Sequence, residues 1–218
     1  KVLKDHTDRI VIGESDAGGY NRFDMDDVLA RTGVKALEKK YGIRVVNLSR
    51  LPAGEVKVEC RGREEVFLFP RLLTDETDVM VSAAVPKIHM NSLVSMTVKN
   101  LWGCIPEPPA RLRLHPFLPE VLLAITRLFK RTIGVVDGRY GLNRSGPMRG
   151  DVVDLNWFLM ADRFYAADVA GCHLMQISPE RVDHLRDQIA RGHRAPVLDD
   201  IRFSRDWKPF VREPFRLE

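Results

Sequence analysis

The stretch from Asp78 to Gly103 constrains the fold of this chain more than any other. It begins with an apolar run rich in β-branched residues, Val79 to Val85, which ends at Pro86. Such a run predicts a strand covered on both faces of a sheet. Lys87 and His89 follow, so both should emerge at the strand's carboxyl end, where open α/β sheets bind ligands and where cations favour an anionic one. The alternative is a solvated lysine and a histidine that is hydrogen-bonded beneath a loop.

Composition and charge narrow the class of protein. A chain of 218 residues, 44% hydrophobic and 29% charged, fits a globular protein that can bury about 70% of its unfolded surface. We therefore predict a single α/β domain over residues 1–218. The net charge of +4 is a modest excess, and the basic clusters fit anionic small molecules as well as nucleic acid. No nucleic-acid-binding module is recognisable, so a nucleic-acid partner is disfavoured.

The cysteines indicate the redox compartment of the protein, and the apolar runs indicate whether a segment could span a membrane. Cys60, Cys104 and Cys172 are far apart and no C-x-x-C occurs, so neither a zinc knuckle nor an intrinsic iron–sulfur cassette is encoded. Buried thiols in a reducing, cytoplasmic compartment are expected. No run reaches the roughly 18 apolar residues that would span a membrane. The chain begins at Lys1 without a visible signal peptide, which predicts a processed form or a chain without its original start.

Strand and helix patterns alternate along the chain, which predicts an α/β fold with a mostly parallel sheet and helices on both faces. The predicted strands are 9–14, 43–48, 79–85, 132–137 and 152–160, and the predicted helices are 24–41, 117–131, 162–175 and 178–190. Residues 55–69 alternate apolar and charged side chains, which predicts a β-hairpin excursion at the sheet edge. The tail, residues 192–218, is expected to dock on a surface and to hold a strand at 201–204.

Two loops follow predicted strands and are candidates for ligand binding. Glu14 and Ser15 begin the first loop, which extends to Asp24. The second loop, 137–151, contains four glycines, among them Gly138 and Gly146, but matches neither the Walker A pattern nor G-x-G-x-x-G. Its backbone N–H groups could bind an anion, and the alternative is an ordinary long surface loop.

Two motifs, PKIHMNSLVSMTVKNLWG and DGRYGLNRSGPMRG, together resemble domain-of-unknown-function family 362. VIGESDAGG near the start and MADRFYAADVAG, which carries the family's helical aspartate, support the resemblance. The resemblance implies an α/β domain, and many members carry a ferredoxin-type cysteine cassette that links the family to iron–sulfur redox chemistry. This chain lacks the cassette, and it lacks the acid that the family usually has near Asn143. The family also has an additional N-terminal strand region, which we expect this chain to lack.

The family motifs, carried over position by position, gather a set of candidate site residues: Glu14, Lys87, His89, Lys99, Asn100, His115, Asp137 and Asp168. Those at predicted strand ends should converge on one edge of a parallel sheet. His89 would be the acid or base, with Lys87 and Lys99 holding substrate charge. Asn100 and the amides of the glycine-rich loop would orient the ligand. Asp137 would position the histidine or bind a metal.

The sequence supports two function hypotheses. The first is an enzyme that acts on an anionic small molecule or cofactor and is linked to redox or cofactor chemistry. The second is a non-catalytic accessory or binding module for a cofactor, a metal or an iron–sulfur redox partner protein. A metal ion is left open, because His89, His115, Glu14 and Asp137 are suitable ligands without a diagnostic spacing. Homo-oligomerisation is also left open.

Overall fold

The computed structural model describes residues 1–18, 23–190 and 196–218. Residues 19–22 of the first candidate loop and 192–195 of the predicted tail lie outside this range. The contacts divide the chain into two compact units: Lys1–Glu76 with Trp102–Pro116 forms the first unit, and Thr77–Leu101 with Phe117–Glu218 the second. The single domain predicted for residues 1–218 stays a prediction, because a contact unit is not by itself a domain that folds alone.

The described residues form helices and strands in alternation. The strands are β1 Val11–Glu14, β2 Arg44–Asn47, β3 Ala53–Cys60, β4 Arg63–Pro70, β5 Met80–Ala84, β6 Lys87–His89, β7 Leu93–Ser95, β8 Thr132–Asn143 and β9 Asp151–Ala161. The α-helices are α1 Met25–Arg31, α2 Leu37–Tyr41, α3 Arg71–Asp75, α4 Thr97–Asn100, α5 Pro108–Leu114, α6 Leu118–Arg127, α7 Phe164–Leu174 and α8 Asp183–Ala190. The predicted α/β class is confirmed.

In the first unit, β1 and β2 pair in parallel, with Val11 opposite Arg44. The two helices between them follow local signals in the sequence. The Asp24 carboxylate accepts a hydrogen bond from the backbone of the first turn of α1, as an N-cap does. Gly33, at φ +77°, separates α1 from α2, and Gly42, at φ +62°, ends α2 in the left-handed conformation that favours glycine.

The predicted hairpin is confirmed, with one correction. β3 and β4 pair antiparallel over their whole length, from Ala53 opposite Pro70 to Cys60 opposite Arg63. Phe67 is buried on the inner face. The hairpin forms a two-stranded sheet of its own, so its predicted place at the edge of the main sheet is wrong.

The second unit contains a five-stranded sheet around the long strand β8. β5 pairs in parallel with the first half of β8, with Ser82 opposite Gly134. β6 pairs in parallel with the second half through Lys87 and Leu142, and β7 pairs antiparallel with β6. β9 lies antiparallel on the other side of β8. β5, β6 and β8 therefore run in one direction, and β7 and β9 in the other.

The strand bounds correct two predictions about the candidate site. The strand expected at 79–85 is covered on one face only, because Val79 and Val85 are 40% and 46% exposed while Ser82 is buried. Lys87 and His89 do not leave the sheet after Pro86 but form β6, since β8 is long enough to pair with a second short strand.

Asp137 is likewise not at a strand end. It lies inside β8, which continues to Asn143 although Gly138 and Gly141 interrupt its sequence. Pairing with β9 supplies the backbone hydrogen bonds that keep this glycine-containing segment extended. The glycine-rich loop therefore begins only after Asn143.

The helices and the tail match their predictions in part. The helix expected from residue 178 begins as a 3₁₀ turn, Pro179–Arg181, and becomes α-helical at α8. No strand forms among the described residues 196–218, so the strand predicted at 201–204 is wrong. Phe215 nevertheless packs in the core at 4% exposure, and its N–H donates a 2.9 Å hydrogen bond to the Met175 carbonyl.

The cysteines are buried as predicted, and none forms a disulfide. Burial, together with the nearby Glu14 carboxylate, raises the pKa of Cys104 to about 12. Burial also raises the pKa of Cys172 well above its ordinary value. In the part of the chain that the structure describes, every helix is too short or too polar to cross a membrane.

Candidate functional site

In the second unit, the short helix α4 carries Lys99 and Asn100, and a buried aspartate holds its first turn. Asp168 of α7 is fully buried. Its carboxylate accepts hydrogen bonds from the Thr97 N–H (2.8 Å), the Thr97 hydroxyl (2.6 Å) and the Val98 N–H (3.0 Å). Burial raises the pKa of Asp168 to about 6, although these hydrogen bonds act in the opposite direction. Asp168 therefore positions the helix that bears Lys99, and both of its oxygens are engaged in doing so.

Asn100 fastens the same helix to β5. Its Nδ2 donates to the Ser82 hydroxyl at 3.1 Å and lies 3.3 Å from the Ala83 carbonyl. The Ser82 hydroxyl in turn donates to the Thr97 carbonyl at 2.8 Å. Asn100 is the residue that the sequence assigns to ligand orientation, and its amide nitrogen is thus engaged within the protein.

Three cationic or titratable side chains, Lys87, His89 and Lys99, lie on β6 and α4, two elements that both contact β7. Lys87 and His89 are two residues apart on β6, so their side chains lie on the same face of that strand. Burial lowers the pKa of Lys87, and no hydrogen-bond or ion-pair partner of its ammonium occurs among residues 1–18, 23–190 and 196–218. Lys99 is only 7% exposed. His89 Nδ1 accepts a 3.1 Å hydrogen bond from the Asn91 N–H, which leaves the proton of the neutral ring on Nε2.

Sequence reasoning missed two residues of α8, His184 and Gln188. Both are 1% exposed. His184 Nδ1 and Nε2 and Gln188 Oε1 have no hydrogen-bond partner among the described residues. Burial lowers the pKa of His184 to about 3, with smaller contributions in the same direction from Lys99 and His89. His184 therefore lies near both.

The sequence contains one signal for these residues. His184 and Gln188 are four residues apart and so share a helix face, next to the apolar positions Val182 and Leu185. Polar side chains beside an apolar stripe are usually solvated, and only the structure shows that both are buried.

Close packing explains why glycine occupies the two predicted ligand-binding positions Gly138 and Gly146. A Cβ at Gly138 would lie 2.2 Å from the Trp157 ring, and a Cβ at Gly146 would lie 1.9 Å from the Ile88 carbonyl oxygen. The Gly146 carbonyl accepts a 3.1 Å hydrogen bond from the Met90 N–H, so the glycine-rich loop lies along the end of β6. Gly146 thereby helps to place the strand that carries Lys87 and His89.

Asp137 is exposed on β8. Its carboxylate accepts a 3.1 Å hydrogen bond from the backbone N–H of Arg139, two residues ahead. This local turn accounts for the aspartate without a ligand, and its proposed role toward His89 stays a prediction.

Glu14, Ser15 and His115 belong to the first unit. Ser15 is 2% exposed, its hydroxyl donates to the Gly103 carbonyl, and its N–H donates to Glu14 Oε1 at 3.0 Å. Loss of solvation raises the pKa of Glu14, while the Ser15 N–H and the Arg111 charge oppose the shift. β1 pairs with β2 and not with β5 or β8, so the predicted convergence of Glu14, Lys87 and Asp137 on one sheet edge is wrong.

The neighbours of Glu14 form a hydrogen-bonded network that the sequence did not predict. Asp16 Oδ1 accepts from the Met25 N–H at 2.9 Å and from Asn47 Nδ2 at 2.8 Å, and the Asp16 carbonyl accepts from Arg111. Burial lowers the pKa of Arg111, against the charges of Glu14 and Asp16. These hydrogen bonds hold Asp16, at the start of the first candidate loop, in place.

Two further observations bear on the candidate residues. The His115 ring packs edge-on against Trp102, with 5.6 Å between the ring centroids. Across the described part of the chain, no group of three or more His, Cys, Asp or Glu side chains is arranged to hold a metal ion.

Comparison with known proteins supports the family that the motifs indicate. The family model described as "Domain of unknown function (DUF362)" matches residues 1–173. The chain belongs to this family. The match includes every candidate residue from Glu14 to Asp168, whereas His184 and Gln188 lie beyond it, so the family motifs could not have indicated them.

The chain is also similar to a thylakoid-associated protein of Synechocystis sp., with 23% identity over 135 residues. The alignment covers 59% of this chain and 41% of that relative, so the chain spans less than half the length of the relative. No solved structure matches the chain.

Proposed function

We propose that this DUF362 protein binds a small anionic molecule or cofactor in its second unit, at a site that includes Lys87, His89 and Lys99. As an enzyme it would act on that ligand in redox or cofactor chemistry, in keeping with the iron–sulfur link of the family. The observation that carries the proposal is Lys87, a partly buried lysine whose ammonium has no partner among the described residues.

A desolvated ammonium is unfavourable unless an opposite charge compensates it. The downward shift of the Lys87 pKa expresses this cost, since desolvation penalises the charged form. A bound anion would restore the favourable charge interaction. Lys99, at 7% exposure, supplies a second cation on α4.

His89 is the candidate catalytic acid or base. With Nδ1 accepting from Asn91, the neutral ring presents its N–H from Nε2. In this tautomer the neutral ring can donate a hydrogen bond to a ligand atom from Nε2–H. Proton transfer would use the imidazolium form, which gives up the hydrogen bond from Asn91 and whose ordinary pKa lies near physiological pH. His89 shares a face of β6 with Lys87, so both side chains could contact one ligand.

Isothermal titration calorimetry on the Lys87→Met variant tests the proposal, with inorganic phosphate, malonate and AMP as probes. Loss of a charge-assisted contact should weaken binding by about tenfold or more. Lys130→Met is the matched control, because Lys130 is an exposed lysine of the same unit. Binding of none of the probes by the wild-type protein, or equal binding by the wild type and Lys87→Met, would contradict the proposal.

We also infer a second candidate function, that of an accessory module which docks a redox partner protein. On one face of β9, Phe158 and Met160 are 67% and 66% exposed at neighbouring alternate positions, and Val152, 73% exposed, lies on the same face beyond Asp154 and Asn156. Neighbouring exposed apolar side chains such as Phe158 and Met160 favour protein association. The thylakoid association in the relative's name is compatible with such a role.

This second function predicts binding to a ferredoxin carrying a [4Fe–4S] cluster, measured by biolayer interferometry. Phe158→Glu should abolish that binding, since it places a charge in the apolar face, and it should leave anion affinity unchanged. Equal ferredoxin binding by the wild type and this variant, or none by either, would remove the candidate.

A further inference from the structure

We propose that two copies of this chain associate through one face of the sheet in the second unit, face to face and with their strands antiparallel. This face, called the outer face below, is formed by apolar side chains of β5, β8 and β9: Val81, Ala83, Ile133, Val135, Phe158 and Met160. The inference goes beyond the proposed anion site and does not depend on it.

The opposite face of the same sheet is covered by the helices α4 and α7. The Ser82 hydroxyl donates to the Thr97 carbonyl of α4 at 2.8 Å, and a Cβ at Gly134 would lie 2.7 Å from the Ala167 Cβ of α7. Ser82 and Gly134 are partners in the register of β5 and β8. Since side chains alternate along a strand, the residues before and after these two point away from the helices.

The register of the three strands makes the outer face continuous. Val81 lies opposite Ile133, and Ala83 lies opposite Val135. On the other side of β8, Met160 lies opposite Val135. Neighbouring strands are about 5 Å apart, so these side chains form one apolar patch and are not isolated surface residues.

Much of the outer face is in contact with solvent. Phe158 and Met160 are 67% and 66% exposed, Ala83 is exposed, and Val81 and Val135 are half-buried. Sheets with parallel strands usually have both faces covered, and a continuous exposed apolar patch favours protein association. The outer face is therefore suited to burial against another protein surface.

The charges at the two ends of this row on β8 indicate a second copy as the partner. Arg131 directly precedes β8, two residues before Ile133, and its carbonyl accepts a 3.0 Å hydrogen bond from the Met80 N–H. Asp137 is exposed two residues after Val135. In the described part of the chain, neither charged side chain has an ion-pair partner. The row thus has an unpaired cation at one end and an unpaired anion at the other.

Two such rows are complementary when they run in opposite directions. If two outer faces stack about a two-fold axis that lies between them and perpendicular to the strands, β8 of one protomer lies antiparallel over β8 of its partner. Arg131 of each protomer then approaches Asp137 of the other, and the apolar side chains meet between two sheets about 10 Å apart. Stacking with parallel strands would bring arginine to arginine instead. Charge complementarity therefore favours the antiparallel dimer.

Sedimentation equilibrium of the full chain over a range of concentrations tests the inference. The wild-type protein should show a monomer–dimer equilibrium in the micromolar range, because a face of three strands is smaller than the interface of a permanent dimer. Ala83→Glu places a charge at the centre of the outer face and should abolish the dimer. The side chain is exposed in the monomer, so this variant should fold. A wild type that stays monomeric, or an unchanged dimer in Ala83→Glu, would overturn the inference.

Charge reversal tests the orientation of the two protomers. Arg131→Asp and Asp137→Arg should each weaken the dimer about tenfold or more, because like charges then meet at both ends. An equimolar mixture of these two variants should regain the wild-type affinity, since a mixed dimer again pairs opposite charges. Arg127→Asp, at an exposed position of α6, is the matched control and should leave the affinity unchanged. A mixture that dimerises no better than either variant would overturn the antiparallel arrangement.

The results also separate a second copy from the redox partner protein considered above, because both would contact Phe158. Dimerisation that Phe158→Glu and Ala83→Glu both abolish supports the inference. A wild type that stays monomeric and binds ferredoxin would overturn it and assign the outer face to that partner. Ala83→Glu should bind anions as the wild type does, so loss of the inference would leave the anion site untouched.

Discussion

Asp168 and His184 are both buried in the second unit, but they differ in their hydrogen bonds. Asp168 accepts three hydrogen bonds from Thr97 and Val98, so its desolvated carboxylate is satisfied inside the protein. His184 has no hydrogen-bond partner at either ring nitrogen among the described residues. Burial alone therefore does not show whether a polar side chain is satisfied inside the protein. The presence or absence of hydrogen-bond partners does.

The contrast applies to the other candidate residues as well. Asn100 and Ser15 resemble Asp168, because their polar atoms hold backbone segments in place. Lys87 resembles His184 in having no partner in the described part of the chain, but it is only partly buried. Three tests of the contrast follow, beginning with the largest expected effect.

Asp168→Ala should lower the free energy of unfolding by about 3 kcal/mol, because the donors of Thr97 and Val98 would be buried without an acceptor. Urea denaturation of the ligand-free protein measures the change. Asp162→Ala is the control, since the Asp162 side chain is 88% exposed, and it should change stability by less than about 0.5 kcal/mol. A loss under about 1 kcal/mol for Asp168→Ala would show that the aspartate does not stabilise α4 as described.

The two residues should give stability profiles of opposite slope in acid. The pKa of Asp168 is raised from 3.8 to about 6, so its folded-state proton stabilises the protein at low pH, and that contribution is lost as the pH rises through about 6. The pKa of His184 is lowered from 6.5 to about 3, so the unfolded chain takes up its proton first and stability falls as the pH drops below 6.5. Each slope should approach about 1.4 kcal/mol per pH unit.

Urea titrations at several pH values between 4.5 and 6.5 on the wild type, Asp168→Asn and His184→Phe would measure these slopes. Over this range, each residue should change the free energy of unfolding by roughly 2 kcal/mol. The stability advantage of the wild type over Asp168→Asn should shrink as the pH rises. The stability of the wild type relative to His184→Phe should increase as the pH rises. Slopes of the same sign in the comparisons with Asp168→Asn and His184→Phe would contradict the predicted difference between the two residues.

The smallest effect is expected for Gln188→Met in the ligand-free protein. Because Gln188 Oε1 accepts no hydrogen bond from the described residues, its replacement should change the free energy of unfolding by less than about 1 kcal/mol, or raise it slightly. Thermal and urea unfolding measure this change. A loss above about 2 kcal/mol would mean that Gln188 is structural, as Asp168 is.

Local signals in the sequence predicted most elements of the fold. Asp24 as an N-cap, Gly42 as a helix end and the alternation around Arg61 predicted elements that the structure contains, because each depends on neighbouring residues only. The order of strands was beyond the sequence. Whether β1 joins the sheet of β5 depends on contacts between distant segments, and no local pattern encodes them.

The same limit applies to the candidate site. The motifs in the sequence pointed to Lys87, His89 and Lys99, and their place in a ligand site stays a prediction. The roles of Asp168 and Asn100 were not predicted, because a motif does not reveal which hydrogen bonds a side chain makes. His184 was missed because its burial results from the packing of α8, and a histidine on that helix reads in sequence like a solvated one.

The arrangement of strands around β8 has a consequence for the folding kinetics. β8 and β9 are joined by a short connection and pair antiparallel, so this hairpin closes a small loop. β5 pairs with β8 across about fifty intervening residues, as in Ser82 opposite Gly134, and such long-range pairing is slow to form. We expect the β8–β9 hairpin to form before β5 and β6 dock. Substitutions on β6 should then mainly accelerate unfolding, whereas those within the hairpin should slow folding.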